Sequence, residues 1–226
     1  GMAKRKRPQG TRRRVLRRRP GLPRTQPRLF PMIRSPSMTP ELKFFDLDVA
    51  ASPAAAAGTI AQASCLLIAA GTGDSERIGR KIIVSKILWR IRIDLPVTST
   101  NTQTSDTIRL ILYQDKQANK ATAAVGDILE SASYLSFKNL SNSGRFVTLY
   151  DQTYPLCAEA VGVVASTTTE KTMFIQTLRF LSIPIEYSGA TGAITELTSN
   201  NVGVLAISQT GVAILSSKMR IRYYDA

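Results

Sequence analysis

The positive charge of this chain is concentrated at one end. Residues 1–40 contain 13 Lys and Arg and no Asp or Glu, whereas residues 41–226 contain 17 Lys and Arg and 16 Asp and Glu. Residues 1–40 also hold seven of the 11 prolines, and proline interrupts both helices and sheet ladders. Because this segment has too few apolar residues to offset the entropy of ordering, the sequence predicts a disordered, arginine- and proline-rich arm at 1–40 and a folded domain at 41–226.

The cations of the arm form clusters that suit phosphate binding. Arginine dominates, and its planar guanidinium can contact two phosphate oxygens at once. Such a charge without any acid exceeds what solubility requires, so we expect the arm to bind nucleic acid, mainly through counterion release. The candidate nucleic-acid-binding residues are Lys4, Arg5, Lys6, Arg7, Arg12, Arg13, Arg14, Arg17, Arg18 and Arg19. Lys4, Arg5, Lys6, Arg7 and Pro8 are also a candidate nuclear-import signal, a pattern that arises readily in any basic segment.

Several function classes are excluded by composition. The chain has no histidine, which rules out Ser-His-Asp or Cys-His catalysis and His-ligated zinc. Its two cysteines, Cys65 and Cys157, are too few for a four-thiolate site, and we expect both to be free, buried thiols. No metal or cofactor is predicted. The longest apolar runs have the length of a strand, so no membrane insertion is expected, and the basic N-terminus lacks the apolar segment of a secretory signal.

Residues 41–226 carry the signals of an all-β domain. In Leu88–Leu95, Trp89, Ile91 and Ile93 alternate with charged residues, which is the period of a half-buried strand. The predicted strands are Lys43–Ala51, Lys81–Val97, Thr107–Asp115, Arg145–Leu156, Met173–Tyr187, Val202–Gln209 and Ile214–Asp225. One short helix is predicted at Val125–Ala132, and Ala54–Ala57 is interpreted as loop or strand edge. Seven or eight strands with almost no helix indicate a sandwich, a jelly roll or a barrel.

Six blocks of this domain resemble viral capsid proteins. They are Gly73–Val84, Asp106–Asn119, Val125–Ser133, Asn142–Tyr150 with Asp151, Ile183–Ile194 and the terminal Ile221–Ala226 (IRYYDA). The blocks resemble the capsid proteins of circular, Rep-encoding single-stranded DNA (CRESS-DNA, circovirus-like) viruses. They are also similar, more distantly, to the coat protein of satellite tobacco necrosis virus, a small RNA satellite.

The resemblance implies an eight-stranded viral jelly roll of two packed antiparallel sheets. It further implies a T=1 shell of sixty copies that packages a single-stranded genome, with DNA favoured over RNA. The expected locations are the virion and, during assembly, the host nucleus, and host import and attachment receptors are expected partners. The alternatives are a satellite-like RNA virus coat protein and a non-assembling nucleic-acid-binding β module. An enzyme is not predicted, because no pair of acids is singled out and the arm would have no role.

Within the folded domain, four groups of residues are candidates for a role. The strand cations Lys86, Arg90 and Arg92 are candidates for genome contact, the alternative being solvent or a neighbouring copy. The resemblance raises calcium binding at Asp74, Glu76, Asp115, Asp151 and Asp225, but Thr72 and Lys81 depart from the satellite pattern, so loop caps or ion pairs between subunits are favoured. Gly189 and Gly192 are interpreted as a turn, since they do not match GxGxxG. Pro155–Ala165 is a candidate contact between copies or an internal strand.

Overall fold

The computed structural model describes residues 41–97, 104–158 and 169–226. For residues 97, 169 and 170 it describes the backbone only. Within these ranges no helix is long and apolar enough to span a membrane. The strands are β1 Leu42–Pro53, β2 Thr59–Gln62, β3 Lys81–Val97, β4 Ser105–Asp115, β5 Phe146–Cys157, β6 Thr169–Tyr187, β7 Leu197–Ser199, β8 Asn201–Ser208 and β9 Ile214–Asp225. The helices are α1 Val125–Ile128 and two 3₁₀ turns, Leu140–Asn142 and Ile194–Glu196.

The nine described strands form two antiparallel sheets in jelly-roll order. One sheet has the order β1-β9-β3-β6-β7 and the other β2-β8-β4-β5. Without the three-residue β7, the sheets read first-eighth-third-sixth and second-seventh-fourth-fifth, which is the arrangement of a jelly roll. The all-β jelly-roll prediction is therefore confirmed. The structure has one strand more than the eight expected in the part of the chain that it describes. The additional strand is β7, which extends the first sheet beside the end of β6.

The predicted long strands agree with the structure because their pattern is unambiguous. The bounds of β3 and β9 are those predicted, and Trp89, Ile91 and Ile93 are buried while Arg90 and Arg92 are exposed. A bulge between Val84 and Lys86 shifts the register against both neighbouring strands. This extra residue reverses the alternation, so the residues facing the core change from even to odd numbers along β3.

The predicted helix ends earlier than its sequence suggests. Asp127 supports its start by accepting a hydrogen bond from the Ala124 backbone N–H at 2.9 Å. At the other end Leu129 has extended backbone angles and forms a β-bridge with Lys138. Tertiary pairing thus ends α1 at Ile128, and the expected helical residues up to Ala132 lie in a loop.

A buried carboxylate anchors the connection between the two sheets. Asp106, on β4, is 3% exposed and accepts hydrogen bonds from the Ser208 hydroxyl at 2.6 Å and from the backbone N–H groups of Thr210 and Ala213 at 3.0 and 2.9 Å. Burial by itself would raise the pKa of this carboxyl, but the hydrogen bonds outweigh it and the pKa lies below its ordinary value. The ionised form therefore holds the β8–β9 connection against β4.

Asp106→Asn is expected to lower the free energy of unfolding by about 1–3 kcal/mol at neutral pH, because an amide cannot accept all of these hydrogen bonds. Since the folded-state pKa is lowered, the contribution is present above the unfolded-state value and is lost as pH falls below about 4. Denaturant unfolding of both proteins at several pH values should show the difference shrinking in acid. The control is Asp48→Asn, whose side chain is 76% exposed; equal losses in both variants would contradict the assignment.

Candidate nucleic-acid interface

The two long strands β3 and β9 place their cations on one exposed face of the five-stranded sheet. Trp89, Ile91 and Ile93 of β3 and Met219 and Ile221 of β9 are buried, so the alternate residues point to the opposite side of the sheet. The six cations on that side, called the basic face below, are Lys86, Arg90, Arg92, Lys218, Arg220 and Arg222.

The strand register brings like charges directly opposite one another. Lys86 is paired with Arg222, and Arg90 is paired with Lys218. Neighbouring strands lie about 4.8 Å apart, and like charges at directly opposed positions are destabilising. The core on the other side of the sheet holds these pairs in place, and a polyanion, if bound there, would relieve their repulsion.

Half of the basic face is neutralised within the chain. The Asp46–Arg220 pair is bidentate, at 2.7 and 2.6 Å, and the hydrogen bond from Arg220 lowers the pKa of the Asp46 carboxyl. The three ion pairs on this face are Arg92 with Asp94, Lys218 with Asp48, and Arg220 with Asp46.

The other three cations keep the face positive. Within the part of the chain that the structure describes, Lys86, Arg90 and Arg222 form no ion pair; Arg90 donates a hydrogen bond to the neutral amide of Gln176 at 3.2 Å. The basic face thus has six cations against three carboxylates. An anionic ligand gains most from binding around these three side chains.

Aromatic rings lie among the cations. Phe174 and Phe180, on β6, are each 76% exposed. Phe180 is paired with Lys86 and Phe174 with Arg92 across the β3–β6 ladder. At the opposite edge of the sheet, Phe44 is 40% exposed, and the Arg220 guanidinium lies 5.2 Å from the centre of its ring.

Sequence reasoning found half of this face. Lys86, Arg90 and Arg92 lie on the exposed side, as their alternation indicated, and their contact with a genome stays a prediction. The three cations of β9 and the two phenylalanines of β6 were missed, although the alternation in KMRIR (218–222) carried the same signal. The candidate residues of the arm and its import signal lie outside the described residues: Lys4, Arg5, Lys6, Arg7, Pro8, Arg12, Arg13, Arg14, Arg17, Arg18 and Arg19.

A second exposed feature is the loop of residues 134–140, called the apolar loop below. Arg109 fixes its base, donating to the backbone carbonyls of Tyr134 and Ser136 and making two hydrogen bonds to Asp151. A rigid loop that holds apolar side chains in solvent is typical of a protein contact. Its exposed side chains are Leu135 at 72%, Phe137 at 80% and Leu140 at 72%.

Comparison with known proteins finds a matching family and a similar coat protein. The family described as Satellite tobacco necrosis virus coat protein matches residues 32–226. The chain belongs to this family. The coat protein of Maize white line mosaic Satellite virus is 31% identical over 140 residues, which cover 61% of this chain and 59% of that relative.

Membership of the satellite tobacco necrosis virus coat protein family decides between the two resemblances seen in the sequence. The satellite resemblance, weighed there as the more distant one, is confirmed. The assignment to circular Rep-encoding DNA viruses finds no support in these matches. A viral coat protein of the satellite type is thus the better description than a circovirus-like capsid protein.

Four of the five acids that are candidates for calcium binding form ion pairs or a loop cap within one chain. Asp115 pairs with Arg145 at 2.7 Å, Asp151 with Arg109 at 2.6 Å, and Asp225 with Lys43 at 3.1 Å. Glu76 accepts a hydrogen bond from the Gly73 N–H at 2.9 Å. These three aspartates therefore have partners within one chain, and ion pairs between subunits stay a prediction. In the ranges 41–97, 104–158 and 169–226, no group of three or more His, Cys, Asp or Glu could hold a metal ion.

The glycine and cysteine predictions have mixed outcomes. Gly189 and Gly192 lie in a turn after β6, as predicted; Gly192 has φ +76°, and a Cβ there would lie 2.5 Å from the backbone of Ile68.

Both cysteines are free, as expected, but only Cys65 is buried, whereas Cys157 at the end of edge strand β5 is exposed. Burial raises the pKa of the Cys65 thiol. Of Pro155–Ala165, the first residues end β5 and most of the rest lies outside the described residues.

Replacing the three unpaired cations tests the basic face. The test uses the full-length chain and the triple variant Lys86→Gln, Arg90→Gln, Arg222→Gln. The slope of the logarithm of the observed binding constant against the logarithm of the salt concentration should become less negative by about 2 for single strands, since each lost phosphate contact removes about 0.7. The melting temperature of the variant should equal or exceed that of the unmodified chain, because like-charge repulsion is relieved. Fluorescence anisotropy with a labelled oligonucleotide over a series of salt concentrations measures the slope.

A variant with the same loss of charge elsewhere is the control. Lys116, Lys120 and Lys138 lie in the β4–β5 connection, away from the basic face. Their replacement by glutamine should leave the salt slope near that of the unmodified chain. An equal change in slope for both triple variants would show that net charge, not the basic face, determines binding.

Proposed function

We propose that this chain is the subunit of a viral shell that assembles with copies of itself around single-stranded nucleic acid. The observation that carries the proposal is the basic face, built into the sheet of a jelly-roll domain of the coat protein family. A face with directly opposed cations is costly in an isolated protein, and a bound polyanion offsets that cost. In this proposal the role of the chain is structural, and the shell is a T=1 particle of sixty copies. The arm of residues 1–40 supplies further cations to the interior of the shell.

RNA is the genome type that this proposal favours. The predictions of a DNA genome and of passage through the host nucleus depended on the resemblance to circular Rep-encoding viruses. The family match instead supports the satellite alternative. The basic face does not distinguish the two backbones, because both present one phosphate per nucleotide. KRKRP (4–8) therefore remains a sequence prediction of nuclear import, and within this proposal its cations bind the genome.

Contact between copies is assigned to the apolar loop. Closed shells are built from heterologous contacts in which one patch of a subunit meets a different patch of its neighbour. The three apolar side chains of this loop are among the most exposed large apolar residues that the structure describes. Their burial against a second copy gains hydrophobic free energy that the isolated domain cannot obtain.

Deletion of residues 2–34 is expected to lower the nucleic-acid content of purified particles sharply and to leave the β fold intact. The 260/280 nm absorbance ratio with negative-stain imaging measures the first, and circular dichroism the second. Digestion of the extracted nucleic acid with RNase or DNase identifies its type. Loss of the folded domain on deletion would contradict the division into arm and shell domain.

A charge-conserving variant separates charge from sequence in the arm. Arginine-to-lysine replacement should retain most of the packaged nucleic acid, whereas glutamine replacement at the same positions should lose it. The positions are Arg12, Arg13, Arg14, Arg17, Arg18 and Arg19. A chain that stays a dispersed monomer at low salt with added single-stranded RNA or DNA would instead indicate the non-assembling binding module.

Phe137→Ser is expected to prevent or weaken particle formation without unfolding the domain, because the ring is 80% exposed within one chain and contributes only on contact with another. Analytical ultracentrifugation gives the particle fraction, and a thermal melt checks the fold. The control is Ile78→Ser, another exposed apolar residue, at 56%, that lies outside the apolar loop. Unchanged assembly in Phe137→Ser, or equal loss in the control, would remove this loop from the interface.

A further inference from the structure

The two exposed phenylalanines of β6 have no role in the fold that the structure shows. Phe174 and Phe180 are each 76% exposed, so neither ring contributes much to the core. Among the described residues, neither ring is in contact with another ring or with a cation, whereas Phe44 on the same face lies against Arg220. Two largely exposed rings are thus available to a ligand.

Both rings lie beside the cations of the basic face. Phe180 continues the row formed by Arg222 and Lys86 across three adjacent strands, β9, β3 and β6. Phe174 likewise lies opposite Arg92 on the neighbouring strand. Since neighbouring strands are about 4.8 Å apart, each ring is close enough to a cation for one nucleotide to contact both. A groove of about 580 Å³ runs next to Phe174 and is also lined by Lys218.

On this arrangement we propose that the basic face binds unpaired nucleotides, with phosphates at the cations and bases stacked on Phe174 and Phe180. This inference rests on the proposed function and names the form of nucleic acid that the face prefers. Cations by themselves attract duplex and single strand alike. A phenyl ring can stack only on a base whose face is exposed, which a single strand offers and a paired helix does not. The rings therefore give the face a preference for single strands.

The edge position of β6 makes such stacking sterically accessible. β7 pairs with β6 only at Glu186 and Tyr187, so in the described part of the chain no strand covers the edge beside Phe174 and Phe180. Bases can approach the rings from the sheet face and from this open edge. The same accessibility would suit a second copy of the chain, which the test below must distinguish.

The first experiment measures binding of the full-length chain to three labelled probes. They are a 12-nucleotide single-stranded RNA, the single-stranded DNA of the same sequence, and the 12-base-pair RNA duplex. In the double variant Phe174→Ala, Phe180→Ala, the affinity for both single strands should fall roughly five- to tenfold for each ring removed. The affinity for the duplex should be unchanged. Phe174→Tyr, Phe180→Tyr keeps the rings and should bind like the unmodified chain.

A spectroscopic signal reports stacking directly. The single tryptophan, Trp89, is fully buried, so a tryptophan introduced on the surface adds a separate, red-shifted emission. In Phe174→Trp this emission should be quenched by single-stranded RNA and not by the duplex. Phe137→Trp is the matched control, since Phe137 is similarly exposed, at 80%, but lies in the apolar loop; it should not be quenched.

Each result assigns a different role to the rings. Equal weakening of single-strand and duplex binding, or no weakening, would overturn the stacking inference and leave the cations as the whole site. Loss of particles in the alanine variant with unchanged oligonucleotide binding would also overturn it and assign the rings to a contact between copies. If the unmodified chain neither forms particles nor binds any probe, the proposed function itself fails, which is distinct from failure of the variants alone.

Discussion

Strand β3 determines both the stability of this domain and the chemistry of its surface. It is hydrogen-bonded on both sides, to β6 from Lys81 to Val97 and to β9 from Ile82 to Asp94. Because side chains alternate along a strand, a slip of one residue would place Arg90 in the core and Trp89 in solvent. The register that buries the core is therefore the register that displays the basic face, and a slip in register would disrupt both.

This coupling explains why the domain tolerates opposed cations. The Arg90–Lys218 and Lys86–Arg222 pairs oppose folding, while the apolar side chains on the other side of the same strands favour it. The aspartates of β1 neutralise only cations of β9, so Lys86 and Arg90 in the middle of the sheet keep their charge. A local conflict that the fold compensates only in part is typical of a functional surface.

The sequence predicted the elements whose pattern is long and regular. β3 and β9 were bounded correctly because Ile, Leu and Trp alternate with Lys and Arg over many residues. β2 and β7 were missed, since four and three residues are too few to show a period. The order of strands within each sheet followed only from the resemblance, because pairing between distant segments leaves no local signal. For the same reason the cations of β9 could not be placed beside those of β3.

In the function that we propose, the arm and the basic face recognise nucleic acid by different physical means. The arm is predicted from its composition to be disordered, and a segment of that kind adapts to any polyanion and responds mainly to charge density. The cations and rings of the face are attached to paired strands, so binding there would cost little backbone conformational entropy. Only a surface with fixed geometry can distinguish an unpaired strand from a duplex. We therefore expect the arm to set how much nucleic acid is bound, and the face to set which form is held against the shell.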